Sequence, residues 1–156
     1  ITIIDNNKLK EYFMKIIKYE DKYRDDMIFM ILEAKNALGR VPGLNEDLLN
    51  IKKNYLDVGD MFWLAIDEQD RVIGSIGYNS IRDTDEVWLH RLFVKYNLKR
   101  QGIGSALLEM AENYMANQGK KVVRIHLGGE GFEESKIFYH KHGYVEYRER
   151  YMMKNL

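Results

Sequence analysis

The pattern of apolar and polar positions predicts helices in the first sixty residues of this 156-residue chain. Apolar side chains recur there every three or four positions, as they do on one face of a helix. Gly39 and the turn Val41-Pro42-Gly43 separate two of the segments. The predicted elements are a short strand at Ile1–Ile4, capping side chains at Asp5–Asn7, a helix through Leu9, Phe13, Ile16 and Ile17, a helix from about Asp25 to Leu38, and a short helix from Asn45 to about Asp57.

From Met61 onward the pattern changes to short apolar runs bounded by polar turns, which is typical of strands. The predicted strands are Met61–Ile66, Arg71–Asn79, Glu86–Val94, Lys121–Leu127 and Tyr144–Met152. Two further helices are predicted, one from Ile103 to Gly119 and one at Glu133–His142. This order, a meander followed by β-α-β-α-β, predicts a mixed α/β sheet in one domain covering residues 1–156.

The third of these strands, Glu86–Val94, carries the most informative side chains. Alternation is expected to place Glu86, Trp88, His90 and Leu92 on one face of the sheet and Val87, Leu89, Arg91 and Phe93 on the other. We expect this strand to splay from Lys121–Leu127 near the middle of the sheet. In the preceding strand, Gly74 and Gly77 predict a close backbone approach or a bulge.

A basic, glycine-containing turn, Lys99-Arg100-Gln101-Gly102-Ile103-Gly104, connects that strand to the next helix. Backbone N–H groups and the positive end of a helix dipole converge at such a turn, which can therefore bind a phosphate. A Rossmann fingerprint would need a third glycine where Leu107 stands, and the chain lacks the Gly-Lys-Ser/Thr of a Walker A loop. The turn predicts an anion site of another kind; a tight connection with no ligand is the alternative.

Composition and charge exclude several classes of function. The chain has no cysteine, which excludes disulfides, thiolate catalysis and cysteine metal sites. Lys+Arg and Asp+Glu both number 24, and a net charge of zero argues against a dedicated nucleic-acid binder. No apolar run approaches the roughly 18 residues of a membrane span, so no membrane partner is expected. The histidines lack metal-ligand spacing, and the absence of cysteine and of a visible signal segment favours the cytoplasm.

Three segments together resemble the GNAT (Gcn5-related) N-acetyltransferase family. The turn from Lys99 to Gly104 is similar to the family's Q/R-x-x-G-x-G/A motif, with Lys99 in place of Gln or Arg. Arg91–Val94 resembles the strand end before that motif, and Phe138–Tyr144 resembles F-Y-x-x-x-G-F/Y. The resemblance covers about Met61–Met152. It implies a mixed, mostly antiparallel central sheet, splayed between the fourth and fifth strands and flanked by helices.

The resemblance implies acetyl-CoA as the acetyl donor. Backbone N–H groups of Gln101, Gly102, Ile103, Gly104 and Ser105 would hold the pyrophosphate, and backbone groups of Leu92, Phe93 and Val94 would pair with the pantetheine arm. Lys99 and Arg100 would add positive charge near the phosphates, or would form a solvated basic turn. The chain departs from the family at Phe132, where asparagine is common, so the resemblance does not extend to a side-chain contact with CoA at that position.

Three residues are candidates for the chemistry of acetyl transfer. Tyr139 matches the tyrosine that lies near the cofactor sulfur in the family, where a phenol can donate a proton or a hydrogen bond to the departing thiolate. The alternative is a packing aromatic. Trp88 stands where many members carry a carboxylate base, so His90 and Glu86, two residues away on either side, compete for that role. Trp88 is expected to shape the acceptor pocket.

The resemblance implies an N-acetyltransferase that moves an acetyl group from acetyl-CoA to a primary amine of a small molecule or peptide by direct attack. A non-catalytic acyl-CoA-binding regulatory module on the same fold is the alternative. The expected partners are acetyl-CoA and the amine acceptor, and the resemblance allows a homodimer. The segments Tyr19–Tyr55 and Trp63–Arg82 hold acidic and aromatic residues that hint at an acidic wall suited to a cationic amine.

Overall fold

The computed structural model describes residues 2–5, 10–129 and 131–156, which form eight strands and three α-helices. The strands are β1 (Thr2–Asp5), β2 (Lys10–Lys18), β3 (Met61–Asp67), β4 (Val72–Ser80), β5 (Glu86–Val94), β6 (Val122–His126), β7 (Val145–Arg148) and β8 (Tyr151–Asn155). The α-helices are α1 (Arg24–Ala37), α2 (Ile103–Asn117) and α3 (Phe132–Lys141).

The strands form one sheet in the order β1-β2-β3-β4-β5-β6-β8-β7. Neighbouring strands are antiparallel except β5 and β6, which pair in parallel from Glu86–Val122 to Trp88–Arg124 and no further. The two strands then separate, which confirms the mixed sheet and its splay. Glu86–Val94 and Lys121–Leu127 are the fourth and fifth of the predicted strands. Because β2 was not predicted as a strand, they are β5 and β6 in the structure.

The helix predicted through Leu9, Phe13, Ile16 and Ile17 is wrong, because Lys10–Lys18 is a strand. It pairs antiparallel with β3, with Ile16 opposite Ala65. Ile16 packs against the apolar cluster on one face of the sheet and Ile17 against the cluster on the other. Two adjacent apolar residues such as Ile16-Ile17 are compatible with a helix and also with a strand that is covered on both faces. The pairing with β3 makes this segment a strand. Leu9 and the capping residues Asn6–Asn7 lie outside the described residues.

Two other predicted elements are divided in the structure. The strand predicted at Tyr144–Met152 is the hairpin of β7 and β8, whose turn holds Arg150 in the left-handed region (φ +64°). The helix predicted from Asn45 to Asp57 consists of a 3-10 turn, Glu46–Leu49, and a wide helical turn, Lys52–Leu56. Both changes follow from tertiary contacts, since β8 pairs with β6 and the short turns pack their apolar residues onto the sheet.

Helices cover the sheet on both faces. On one face, α1 packs Met27 and Ile31 into a cluster with Phe62 and Leu64 of β3. On the other face, Leu107 and other residues of α2 pack with apolar residues of β3, β4 and β5. The predicted close approach at the strand glycines is confirmed, because a Cβ at Gly74 would lie 2.8 Å from Leu107 Cδ1 and one at Gly77 would lie 2.5 Å from the Phe62 ring.

Candidate active site

A cleft of about 1690 Å³ opens where β5 and β6 separate. The sequence candidates that line it are His90, Leu92, Phe93, Val94, Lys99, Arg100, Gly102, Ile103, Gly104, Ser105 and Tyr139. Glu86 and Gln101 are not among the lining residues. The fold therefore brings the strand end, the basic turn and the predicted tyrosine of α3 to one cavity.

A β-bulge at Arg91 shapes the β5 wall of this cleft. Pairing with β4 passes from Gly77–His90 to Ser75–Phe93, so β5 contains one extra residue, and Arg91 adopts a left-handed conformation (φ +57°). Ser75 Oγ donates a hydrogen bond to the Arg91 carbonyl at 2.7 Å. An extra residue reverses the alternation beyond it.

The predicted division of the β5 side chains between faces is therefore wrong beyond His90. Leu92 packs against the α2-side cluster that contains Val87 and Leu89, and Phe93 packs against the α1-side cluster. Arg91 lies on the His90 side, where its guanidinium binds Asp47. The bulge thus turns both His90 and Arg91 toward the same face.

Arg91 is held by a carboxylate that the sequence analysis did not identify. Its Nη2 and Nε donate to Asp47 at 2.8 and 3.0 Å, and Tyr55 also donates its hydroxyl to Asp47 Oδ2. Burial alone would raise the pKa of Asp47, but the hydrogen bonds from Arg91 and Tyr55 outweigh it and lower that pKa. The pair attaches the turn Glu46–Leu49 to the bulge.

The basic turn has the geometry of an anion site. Gly102 adopts φ +84° immediately before α2, so the first helical N–H groups point out of the helix end without intrahelical partners. Lys99 Nζ lies 3.5 Å from Glu134, so its charge is partly balanced. Ser105 Oγ lies 3.0 Å from His142 Nε2, which adds a histidine of the α3 end to this part of the cleft.

Tyr139 is buried and lines the cleft from α3. Its ring makes edge contacts with Phe138 and Tyr144, with centroid distances of 5.2 and 5.4 Å. Burial raises the pKa of Tyr139 well above its usual value, which keeps the hydroxyl protonated at neutral pH. The residue therefore packs as an aromatic and also supplies a hydroxyl donor.

His90 lies on the cleft wall at the start of the bulge. Its Nδ1 is 3.0 Å from Asn79 Oδ1, and its ring meets the Tyr55 ring edge-on at a centroid distance of 6.3 Å. Burial, together with the positive charge of Arg91, lowers the pKa of His90 below its usual value. The ring is therefore neutral at pH 7 and able to accept a proton.

Glu86 occupies a different environment. Its carboxylate accepts hydrogen bonds from Arg124 Nε and Nη2 at 2.9 and 3.1 Å, and the Arg124 contact lowers its pKa. A carboxylate paired in this way is a weak proton acceptor. Trp88, between the two candidates, packs edge-on against Tyr151 at 6.1 Å.

Comparison with known proteins places this architecture in a family. The sequence model of the acetyltransferase (GNAT) domain matches residues 59–146. The chain belongs to the GNAT acetyltransferase family. No curated protein matches the chain.

Solved structures share the fold of this GNAT domain over most of its length. A GNAT-family acetyltransferase from Staphylococcus aureus Mu50 is 26% identical with a TM-score of 0.85, over 92% of this chain and 99% of that one. The PaiA N-acetyltransferase from Thermoplasma acidophilum, in complex with coenzyme A, is 21% identical with a TM-score of 0.72, over 92% and 99%. A GNAT acetyltransferase from Brucella melitensis, in complex with acetyl-CoA, is 16% identical with a TM-score of 0.68, over 92% and 88%.

The acidic and aromatic wall suggested by the sequence does not line the cleft of this GNAT domain. Tyr55, Trp63 and Tyr78 are buried in the core. Asp26 instead binds Arg71 at 2.8 Å on another part of the surface. Among the described lining residues, Glu133 and Glu134 are the only carboxylates, whereas Lys35, Arg40, Arg91, Lys99, Arg100, Lys141 and Arg150 are basic. The hint of a cationic acceptor therefore loses its structural basis.

Lys35 is a further cleft residue that sequence reasoning missed. It is buried on α1 and donates to the Gly43 carbonyl at 2.7 Å and to the Asn45 side chain, which ties the loop after α1 to the helix. Burial lowers its pKa. The sequence signal that could have identified it is the position of a lysine among the apolar residues on the buried face of α1.

Over the residues that the structure describes, no three His, Asp or Glu side chains cluster as metal ligands would. The helices within those residues are too short or too polar to cross a membrane.

Proposed function

We propose that this chain is an acetyl-CoA-dependent N-acetyltransferase that acts on a primary amine of a small molecule or peptide. The observation that carries the proposal is the single cleft that joins the anion-binding turn, the free side of β5, Tyr139 and His90. Membership in the GNAT family supports acetyl transfer, and the relatives solved with coenzyme A or acetyl-CoA support the donor.

The cleft residues fit acetyl-CoA in two respects. The backbone N–H groups from Gly102 to Ser105, at the positive end of α2, match the charge and size of a pyrophosphate. The pairing of β5 with β6 ends at Trp88, so Leu92, Phe93 and Val94 present backbone groups to the cleft, where a pantetheine arm can pair as an added strand. Lys99 and Arg100 would contribute charge at the phosphate end.

Replacing Gly102 by Ala is expected to weaken CoA binding about tenfold or more. A left-handed conformation costs a non-glycine residue about 1–2 kcal/mol, and relaxation of that strain would misalign the N–H groups; tenfold corresponds to about 1.4 kcal/mol. Titration calorimetry with CoA measures the affinity.

Gly119→Ala is the matched control for that experiment. Gly119 follows the other end of α2 with nearly the same backbone angle (φ +83° against +84°), and an added Cβ there meets open space. Both variants should lose similar stability in urea, and only Gly102→Ala should lose CoA affinity. Equal affinities for CoA in the two variants would contradict a phosphate site at the turn.

Bound acetyl-CoA supplies a thioester as the acyl donor. The amine nitrogen bonds to the acetyl carbon as the carbon–sulfur bond breaks, and the proton lost by the nitrogen passes to the ring of His90. Tyr139 donates a hydrogen bond to the departing thiolate; its raised pKa favours a hydrogen bond over full proton transfer. Since the chain has no cysteine, a cysteinyl acyl-enzyme is excluded.

Tyr139→Phe is expected to lower kcat about 10- to 100-fold and to leave CoA affinity nearly unchanged. The substitution removes the donor to the thiolate and keeps the aromatic packing with Phe138 and Tyr144. Thiol release with a competent acceptor measures kcat, and calorimetry measures affinity. If turnover and affinity fell together, Tyr139 would be structural only.

A non-catalytic acyl-CoA-binding module is the second candidate, favoured by the pairing of Glu86 with Arg124, which makes one of the two candidate bases a weak proton acceptor. The discriminating assay incubates the protein with acetyl-CoA and a panel of amines, amino acids and peptides while free thiol is followed. Turnover supports the enzyme, and CoA binding without turnover on any acceptor supports the module. Failure to bind CoA would contradict both.

Three further expectations belong to this proposal. We propose that residues 1–156 act as one domain, supported by a sheet that includes strands from Thr2–Asp5 to Tyr151–Asn155. The cysteine-free composition is the support for a cytoplasmic location. A homodimer stays a prediction that sedimentation would test.

A further inference from the structure

A chain of hydrogen bonds runs from Asp60, which is buried just before β3, through Asn79 of β4 to His90 in the cleft. We propose that Asn79 is a positioning residue that fixes the tautomer of His90, so that Nε2 is the nitrogen that accepts the substrate proton. The catalytic part of this inference rests on the proposed N-acetyltransferase function. The structural part, which nitrogen carries the hydrogen, does not.

The orientation of the Asn79 amide is determined by its neighbours. Its Nδ2 lies 3.0 Å from the Asn54 carbonyl oxygen and 3.2 Å from Asp60 Oδ2. Both partners only accept hydrogen bonds, and the two hydrogens of Nδ2 satisfy them. A flipped amide would set its oxygen against a carbonyl and a carboxylate. The amide oxygen is therefore the atom that faces His90.

This orientation decides where the hydrogen of the neutral imidazole lies. Asn79 Oδ1 has no hydrogen to give, so His90 Nδ1, 3.0 Å away, must donate. The lone pair of the neutral ring is then on Nε2, the nitrogen that remains for the cleft. With the opposite tautomer, Nδ1 and Oδ1 would face each other as two acceptors, and Nε2 would already carry a hydrogen.

Asp60 makes the arrangement rigid. It is 6% exposed, and its two oxygens accept hydrogen bonds from Ser80 Oγ at 2.6 Å and Ser80 N at 2.9 Å. Asp60 therefore holds two consecutive residues of β4 at the level of the cleft. The amide of Asn79 separates the carboxylate from the imidazole, so His90 receives a neutral acceptor in place of a directly bonded anion.

Nitrogen-15 NMR of the histidine rings tests the inference in the protein without any acceptor. The wild-type spectrum at neutral pH should show His90 protonated at Nδ1 and unprotonated at Nε2, with its signals identified among the four histidines by their loss in His90→Gln. Asn79→Leu replaces the amide by an apolar side chain of similar size. It therefore removes the acceptor and should convert His90 to a mixture of tautomers or to the Nε2–H form.

Ser80→Ala is the matched control, because it removes one Asp60 hydrogen bond on the same strand and leaves the Asn79–His90 contact intact. It should leave the tautomer unchanged. With a competent acceptor, Asn79→Leu should lower kcat severalfold at unchanged CoA affinity. A wild-type His90 protonated at Nε2, or an unaltered tautomer in Asn79→Leu, would overturn the inference.

The two measurements also separate this inference from the proposed function. If the Nδ1–H tautomer depends on residue 79 but the protein acetylates no amine, the role of Asn79 in fixing the tautomer stands and the proposed N-acetyltransferase function is contradicted. Should Asn79→Leu fail to fold, the wild-type spectrum still decides the tautomer, since an Nε2–H signal there contradicts the geometry.

Discussion

His90→Gln is expected to lower kcat by about 100- to 1000-fold while CoA affinity stays within about twofold of wild type. Glutamine can keep a hydrogen bond to Asn79 but cannot accept a proton at neutral pH, and general-base catalysis is worth about 10²- to 10⁴-fold. Thiol release under saturating acetyl-CoA measures kcat, and calorimetry measures the affinity. Nearly unchanged turnover would show that water or another group takes the proton.

Glu86→Gln is the control for the competing base. Because Glu86 is paired with Arg124, its loss should change kcat only a few-fold. A larger loss of activity in Glu86→Gln than in His90→Gln would assign the base to Glu86.

The pH dependence gives an independent expectation for His90. Its pKa is lowered by burial and by Arg91, so the neutral, proton-accepting form persists below the usual histidine pKa near 6.5. A primary amine itself titrates near pH 10.4, so kcat/KM is calculated on the unprotonated acceptor. In wild type this corrected kcat/KM should stay constant as pH falls through 6.5 and decline only at lower pH. A decline of the corrected kcat/KM that begins above 6.5 would contradict a neutral, half-buried His90 as the base.

Gly77→Ala is expected to destabilise the fold by about 2–3 kcal/mol. The added Cβ would lie 2.5 Å from Phe62 Cδ2 and 3.2 Å from Tyr55 Cε1, and both rings are almost fully buried, so neither can move freely. Overpacking of a core at this level costs typically 1–3 kcal/mol. Urea unfolding followed by circular dichroism measures the free energy of unfolding.

Gly43→Ala provides the matched comparison for packing. A Cβ added at Gly43 would lie 4.0 Å from its nearest neighbour, the Val41 carbonyl oxygen, and the φ of Gly43 is outside the left-handed region. The free energy of unfolding should therefore change by less than about 0.5 kcal/mol. Similar losses in the two variants would show that backbone freedom, and not the Phe62 contact, causes the effect.

Local patterns were sufficient for much of the fold and for the position of the turn that is proposed to bind the cofactor. The strand Glu86–Val94 has the predicted bounds, and the basic turn leads into α2 as expected. These features depend on neighbours in sequence: an apolar run, turn residues, and glycines at the start of a helix. Gly74 and Gly77 also signalled close packing, since a glycine weakens a strand interior and is tolerated where another group approaches the backbone closely.

The catalytic end depended on contacts that no local pattern contains. Asp47 and Arg91 are 44 positions apart, and Asp60 reaches Asn79 across 19 positions. The bulge that places Arg91 beside His90 exists only in the pairing of β5 with β4. The strand Lys10–Lys18 was misread for a related reason, because Ile16-Ile17 fits both periods until β3 supplies a partner.

The sequence by itself therefore determined the order of elements from Met61 to His142, the splay that the family resemblance implies, and the basic turn at Lys99–Ser105 that leads into α2. The tertiary structure alone placed the two candidate bases in different environments, since Arg124 pairs with Glu86 while Asn79 contacts His90. The physical reason is that proton affinity depends on burial, charge and hydrogen-bond partners, and folding brings those partners together from distant parts of the chain.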